Sequence, residues 1–226
     1  MNCVFIPLET LQETLDSLAS PLILPPHLHQ AVKQRQQSYL AGRACAQILY
    51  PRYGLQWDYL PMYPESHPQH GAPQWPEGFT GSISHSPTLA VATMAPLSRY
   101  SGIGIDVERV MSEEKAQRLT TQILHPGEDW VKTALDLTLV FSFKESIYKA
   151  LHPTLQRFIG FQEVKVYPPL RLNDFAVQLT WTPDQSLRLD LKSHFKNSSP
   201  QFIGKGQWWG KIAPTQVFTQ CHFSLN

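Results

Sequence analysis

Apolar and polar positions change their period along this chain, and the changes mark its elements. Between about residues 27 and 50, Val32, Tyr39, Leu40, Cys45 and Ile48 can supply one helical face, while Lys33, Arg35 and Arg43 lie on polar turns. Residues 1–8 read as a short edge strand, and 80–84 and 89–95 as two more strand-like runs. A third apolar run, 103–107, carries acidic residues at its end. After Val110 the pattern predicts a helix over 113–124 and a longer one over about 137–151, stopped by His152-Pro153. Between them Pro126 sits where a further helix could start, with Glu128 and Asp129 suited to its first turn. The remainder alternates, and 163–167, 175–181, 187–191 and 216–222 read as antiparallel strands. The order predicts an α+β protein of two halves, 1–108 and 109–226.

Composition narrows the class. The chain has 226 residues, long enough to bury a core without disulfides or a structural metal. Lys plus Arg total 19 against 18 Asp plus Glu, a net charge of +1, which argues against bulk nucleic-acid binding. Proline is high, 19 residues or about 8%, against roughly 5% on average, and it concentrates over 61–76. No apolar run reaches the roughly 18 to 20 residues of a membrane span, and the first residues lack the pattern of a signal peptide. Three scattered cysteines, Cys3, Cys45 and Cys221, form no CxxC pair, so a reducing cytoplasm is expected.

Four segments carry candidate chemistry. In Gly102-Ile103-Gly104-Ile105-Asp106-Val107-Glu108 the alternation of a strand points Asp106 and Glu108 the same way. Side-by-side carboxylates suit a cation held by oxygen, of which Mg²⁺ is the usual case; a solvated strand end is the other reading. The glycines are no dinucleotide fingerprint, since a third is missing and no helix follows. In Phe141-Ser142-Phe143-Lys144-Glu145-Ser146-Ile147-Tyr148-Lys149, Glu145 and Lys149 stand i, i+4 on a helix, an ordinary ion pair unless they meet Asp106 and Glu108 in space. Gly81-Ser82-Ile83-Ser84-His85-Ser86 gathers hydroxyls and an imidazole at a strand end. Arg35 and Arg43, about two helical turns apart, suit an anionic ligand or a solvated face.

Taken in order, these segments resemble the Sfp-type 4'-phosphopantetheinyl transferases, nearest the siderophore-associated class. The resemblance runs over about 27–163 and rests on G-I-D-x-E followed by F-S-x-K-E-S-x-x-K, with Gly42-Arg43-Ala44 and Gly71-Ala72-Pro73 before them. It implies two similar α/β subdomains about a pseudo-twofold axis, with coenzyme A in the cleft between them. It implies transfer of the phosphopantetheine arm of coenzyme A to a serine of an apo acyl or peptidyl carrier protein, with release of adenosine 3',5'-bisphosphate. Mg²⁺ would be held by Asp106, Glu108 and Glu145. Glu145 would act as base and Lys149 would face the diphosphate. Arg35, Arg43, Ser84 and His85 would contact the nucleotide phosphates, and Lys144 would add a secondary coenzyme A contact. The family often has Lys or Arg just before Pro73; His67 and His70 stand nearby here, and would make coenzyme A affinity fall as pH rises through the ordinary histidine value of about 6.5.

Carrier contacts are expected between Val110 and Thr138, from Met111, Lys115, Arg118, Leu119, Ile123 and Lys132. A monomer is expected, with no nucleic-acid or membrane partner. Two other readings compete. A Mg²⁺-dependent nuclease would need a basic groove, and its Glu-x-Lys spacing differs from that of Glu145 and Lys149. A non-catalytic module that binds coenzyme A or carrier would need no metal.

Overall fold

The computed structural model describes residues 2–55, 65–66, 72–173, 176–194, 201–209 and 216–224. His67 and His70 lie outside them. The chain divides into two compact units, Met1–Arg99 and Tyr100–Asn226, each with its own core.

The first unit holds β1 (Cys3–Pro7), α1 (Leu11–Ser17), α2 (Lys33–Leu49), β2 (Glu65–Ser66), β3 (Pro73–Gln74), β4 (Phe79–His85) and β5 (Leu89–Pro96). Its main sheet is antiparallel, in the order β1-β5-β4, so β1 is the expected edge strand. Small residues on α2 set the spacing of this layer. Ala41, Ala44, Cys45 and Ala46 are fully buried, and a Cβ on Gly42 would lie 2.6 Å from Ile83 Cγ2. Helix and sheet therefore approach more closely than larger side chains would permit.

The second unit contains β6 (Gly102–Arg109), α3 (Glu113–Ile123), α4 (Ala134–Leu155), β7 (Val164–Val166), β8 (Leu170–Asn173), β9 (Ala176–Leu179), β10 (Trp181–Pro183), α5 (Gln185–His194), β11 (Gln201–Trp209) and β12 (Gln216–Ser224). Its large sheet runs β6-β12-β11-β9-β8, and β10 pairs with β7. Helix α4 opens with a capping box: Thr133 Oγ1 accepts from Asp136 N, and the Asp136 carboxylate accepts from Thr133 N at 3.0 Å. Phe143, Ile147 and Leu151 are fully buried beneath it, each contributing about 1.5 to 3 kcal/mol.

Four sequence expectations change here. The join expected at 108 falls at Arg99–Tyr100, because β6 pairs along its length with β12 and so belongs to the second unit. Glu128 opens no helix; it lies in the loop before α4, which starts at Ala134. His152-Pro153 does not stop α4, which continues to Leu155 and ends at Gln156 with φ of 51°. Residues 187–191 form no strand but part of α5: Leu187 and Leu191 are buried while Leu189 is 60% exposed, a helical rather than an alternating pattern. Asp184 Oδ1 accepts from Leu187 N at 2.8 Å at its start. Among the described residues, no helix is long and apolar enough to cross a membrane.

Candidate functional site

The site begins with two glycines. Gly102, Gly104, Asp106 and Glu108 alternate along one face of β6. A Cβ on Gly104 would stand 1.8 Å from the Ser146 carbonyl oxygen, and one on Gly102 would stand 2.3 Å from that of Ala150. Only glycine lets α4 lie with its backbone against this strand. Three hydroxyls sit in the same layer: Thr219 Oγ1, opposite Asp106 across the β6–β12 pair, bonds Ser142 Oγ at 2.8 Å and Ser146 Oγ at 2.7 Å.

That packing brings the two acidic motifs together. Lys149 Nζ on α4 donates to Asp106 Oδ1 at 2.6 Å, with Asp106 almost wholly buried and the lysine about a quarter exposed. Burial pushes the half-buried Glu108 carboxyl up to about 7; the Asp106 charge adds to the rise, and Lys149 and Lys115 oppose it. Burial also raises Glu145, with Lys149 working against the rise and Asp106 with it. Asp106, Glu108 and Glu145 thus share one electrostatic neighbourhood. Lys115 places α3 beside it. Among the described residues no group of three or more His, Cys, Asp or Glu side chains stands arranged to hold a metal ion, so the three carboxylates are neighbours without forming a closed coordination shell.

Lys144 behaves differently from its expected role. It is turned inward, its side chain 1% exposed, and Nζ donates to Glu128 Oε2 and to Ile123 O, each at 2.9 Å. Burial lowers its pKa, and the bond to Glu128 opposes that. An enclosed ammonium with those partners is no surface contact for coenzyme A. Glu128 is equally enclosed: its carboxylate also accepts from His125 N at 2.8 Å and from Val166 N at 2.7 Å.

In the first unit, Arg35 on α2 and His85 at the end of β4 meet, Nη1 standing 3.5 Å from Nε2. Arg43 is buried, its guanidinium 4.6 Å over the Tyr39 ring, whereas Arg35 is exposed. The two arginines therefore occupy different environments rather than one face. Ser84 is buried and, by strand alternation, points to the opposite side of β4 from His85.

Sequence reasoning missed the two glycines as packing residues and the hydroxyls of Ser142, Ser146 and Thr219. The signal for the serines was present: they stand i, i+4 in an otherwise apolar helical face, where a buried hydroxyl needs a partner.

Comparison with known proteins places these motifs. The model of the 4'-phosphopantetheinyl transferase N-terminal domain matches residues 24–95, and that of the 4'-phosphopantetheinyl transferase superfamily matches residues 102–202. Enterobactin synthase component D of Salmonella typhimurium is 37% identical over 153 residues, covering 64% of this chain and 61% of that one. The Escherichia coli (strain K12) protein of the same name is 34% identical over 154 residues, covering 64% and 69%. 4'-Phosphopantetheinyl transferase Npt of Nocardia iowensis is 32% identical over 141 residues, covering 61% of each. The chain thus spans 61% of the length of the Nocardia and Salmonella typhimurium relatives it matches. With both family models falling in order along the chain, and a relative 34% identical matched over more than two thirds of its length, the chain belongs to the 4'-phosphopantetheinyl transferase superfamily.

Proposed function

We propose that this chain moves the 4'-phosphopantetheine arm of coenzyme A onto a serine hydroxyl of an apo acyl or peptidyl carrier protein. The observation that carries the reading is the meeting of Asp106, Glu108, Glu145 and Lys149 on the β6–α4 face, in a chain of this superfamily. The serine oxygen forms a bond to the phosphorus that bears the pantetheine. The bond from that phosphorus to the bridging oxygen breaks, and adenosine 3',5'-bisphosphate leaves. The serine proton passes to Glu145, directly or through a water; a carboxyl raised by burial is the better base. Lys149 places a positive charge where the diphosphate would gather negative charge.

The donor chemistry suits Mg²⁺, since the candidate ligands are all carboxylate oxygens even though they stand short of a closed shell here, and a cation would offset the burial and the Asp106 charge that together lift Glu108 to about 7. Asp106, Glu108 and Glu145 would hold it, and when bound it would supply charge neutralisation on the non-bridging oxygens. Arg35 and His85 offer donors to the nucleotide phosphates. Arg43 and Ser84 belong to that binding set by resemblance. The cysteines Cys3, Cys45 and Cys221 are all free thiols, which supports a cytoplasmic setting.

The test is incubation of the protein with coenzyme A, Mg²⁺ and an apo carrier, read by mass spectrometry of the carrier. A gain of one phosphopantetheine group is expected. No gain with peptidyl or acyl carriers, or nicking of DNA instead, overturns the reading.

A further inference from the structure

The Lys144–Glu128 pair ties together α4, the end of α3, the loop after it and β7. The ammonium donates to Ile123 O, the last residue of α3, where the carbonyl end of a helix attracts a cation. Through Glu128 the same pair holds the amide of His125, in the loop after α3, and the amide of Val166 on β7. A single buried ion pair therefore fixes where α3 ends and how the chain leaves it.

The position of α4 against β6 has separate supports. Backbone contact at Gly102 and Gly104, and the hydroxyls on Thr219, hold that interface. Lys149 and Asp106 make their own bond there. Losing Lys144 should therefore loosen α3 and its loop while leaving the carboxylate face assembled. Helix α3 flanks that face, with Lys115 within electrostatic reach of Glu108 and Arg118 exposed one turn further on.

We propose that Lys144 and Glu128 are positioning residues for α3, which presents Lys115 and Arg118 to an acidic carrier protein bringing its serine to the site. The proposal rests on the transferase reading. It gives Lys144 a part in carrier recognition through α3, in place of a direct contact with coenzyme A.

The experiment compares Lys144→Met with wild type for the KM of an acidic apo carrier, the kcat, coenzyme A affinity by calorimetry, and amide exchange at His125 and Val166. The expected result is a carrier KM raised about tenfold, a size typical of residues that act on a ligand without touching it. Coenzyme A affinity stays at the wild-type value, amide exchange at both positions quickens, and Lys144→Arg recovers part of the carrier KM. If Lys144→Met does not fold, the neutral pair Lys144→Met/Glu128→Gln takes its place under the same criteria. Weakened coenzyme A binding with an unmoved carrier KM overturns the proposal. So does a lowered unfolding midpoint with carrier KM unchanged. Absence of transfer by the wild type overturns the transferase reading itself, whereas unchanged exchange at His125 and Val166 in an active variant overturns the clamp alone.

Discussion

Two lysines stand five residues apart on α4, each bonded to a carboxylate, and their surroundings differ completely. Lys144 and Glu128 are both enclosed; they bond each other, Lys144 also donates to Ile123 O, and Glu128 accepts from the amides of His125 and Val166. Lys149 keeps about a quarter of its side chain exposed above a buried Asp106, whose charge adds to the rise of both Glu108 and Glu145. A buried pair that is bonded on all sides is framework, and removing one partner strands a charge. A pair with one open side, crowded by like charges, is poised to accept something from solution. Helix rotation makes the difference: five residues turn the side chain by about 500°, or 140° net, from the interior to the rim.

The largest expected effect breaks the outer pair's neighbourhood. Glu145→Gln keeps the shape and removes the charge, and should lower kcat for carrier modification by roughly 10²- to 10⁴-fold. Steady-state rates check this, and wild-type turnover would remove Glu145 from the site. Next comes Gly104→Ala, which tests whether the outer site depends on backbone contact. Its Cβ would meet the Ser146 carbonyl oxygen, which a side-chain rotation cannot relieve, so the cost should reach about 3 kcal/mol in chemical denaturation. The inner pair stays intact in that variant, and a stability loss within a few tenths of a kcal/mol would contradict the packing account.

How far the sequence carried is visible in the same two pairs. Alternation placed Asp106 and Glu108 on one face, and the i, i+4 spacing placed Glu145 with Lys149. The ends of β4, β5, β6 and α3 fell within about two residues of their expected positions, because runs of apolar residues bounded by polar ones fix short elements well. The inward turn of Lys144 was not legible, since its partner Glu128 sits in a loop distant in sequence. The sequence pattern does not mark β11, and it reads residues 187–191 of α5 as a strand because Leu187, Leu189 and Leu191 alternate as well as they recur. In the first unit, Arg35 and Arg43 share a helix, yet one is exposed beside His85 and the other buried on Tyr39, a difference set by packing alone.

Acidity sharpens the contrast between the pairs. Glu108 titrates at about 7 in the folded chain against an ordinary value of 4.5, so its folded state holds the proton more tightly. Its contribution to stability is complete below the ordinary value and is lost as pH rises through about 7. Denaturation midpoints without Mg²⁺ should therefore fall over that window, Mg²⁺ should restore them at the upper end, and Glu108→Gln should flatten the profile. A profile unchanged by Glu108→Gln would contradict the raised Glu108 carboxyl. The smallest effect expected is that of Arg118→Glu on exposed α3: a carrier KM raised about threefold, with coenzyme A binding unaltered, in steady-state assays and calorimetry. Loss of coenzyme A binding there would move the carrier surface elsewhere.

The assignment of an outer, ligand-facing pair and an inner, structural pair is tested most directly by coenzyme A affinity of Lys149→Met beside Lys144→Met, measured by calorimetry. The account predicts binding weakened about ten- to a hundredfold in Lys149→Met, the worth of one charge-assisted contact, and unchanged in Lys144→Met. Weakened binding in Lys144→Met with wild-type affinity in Lys149→Met would contradict it.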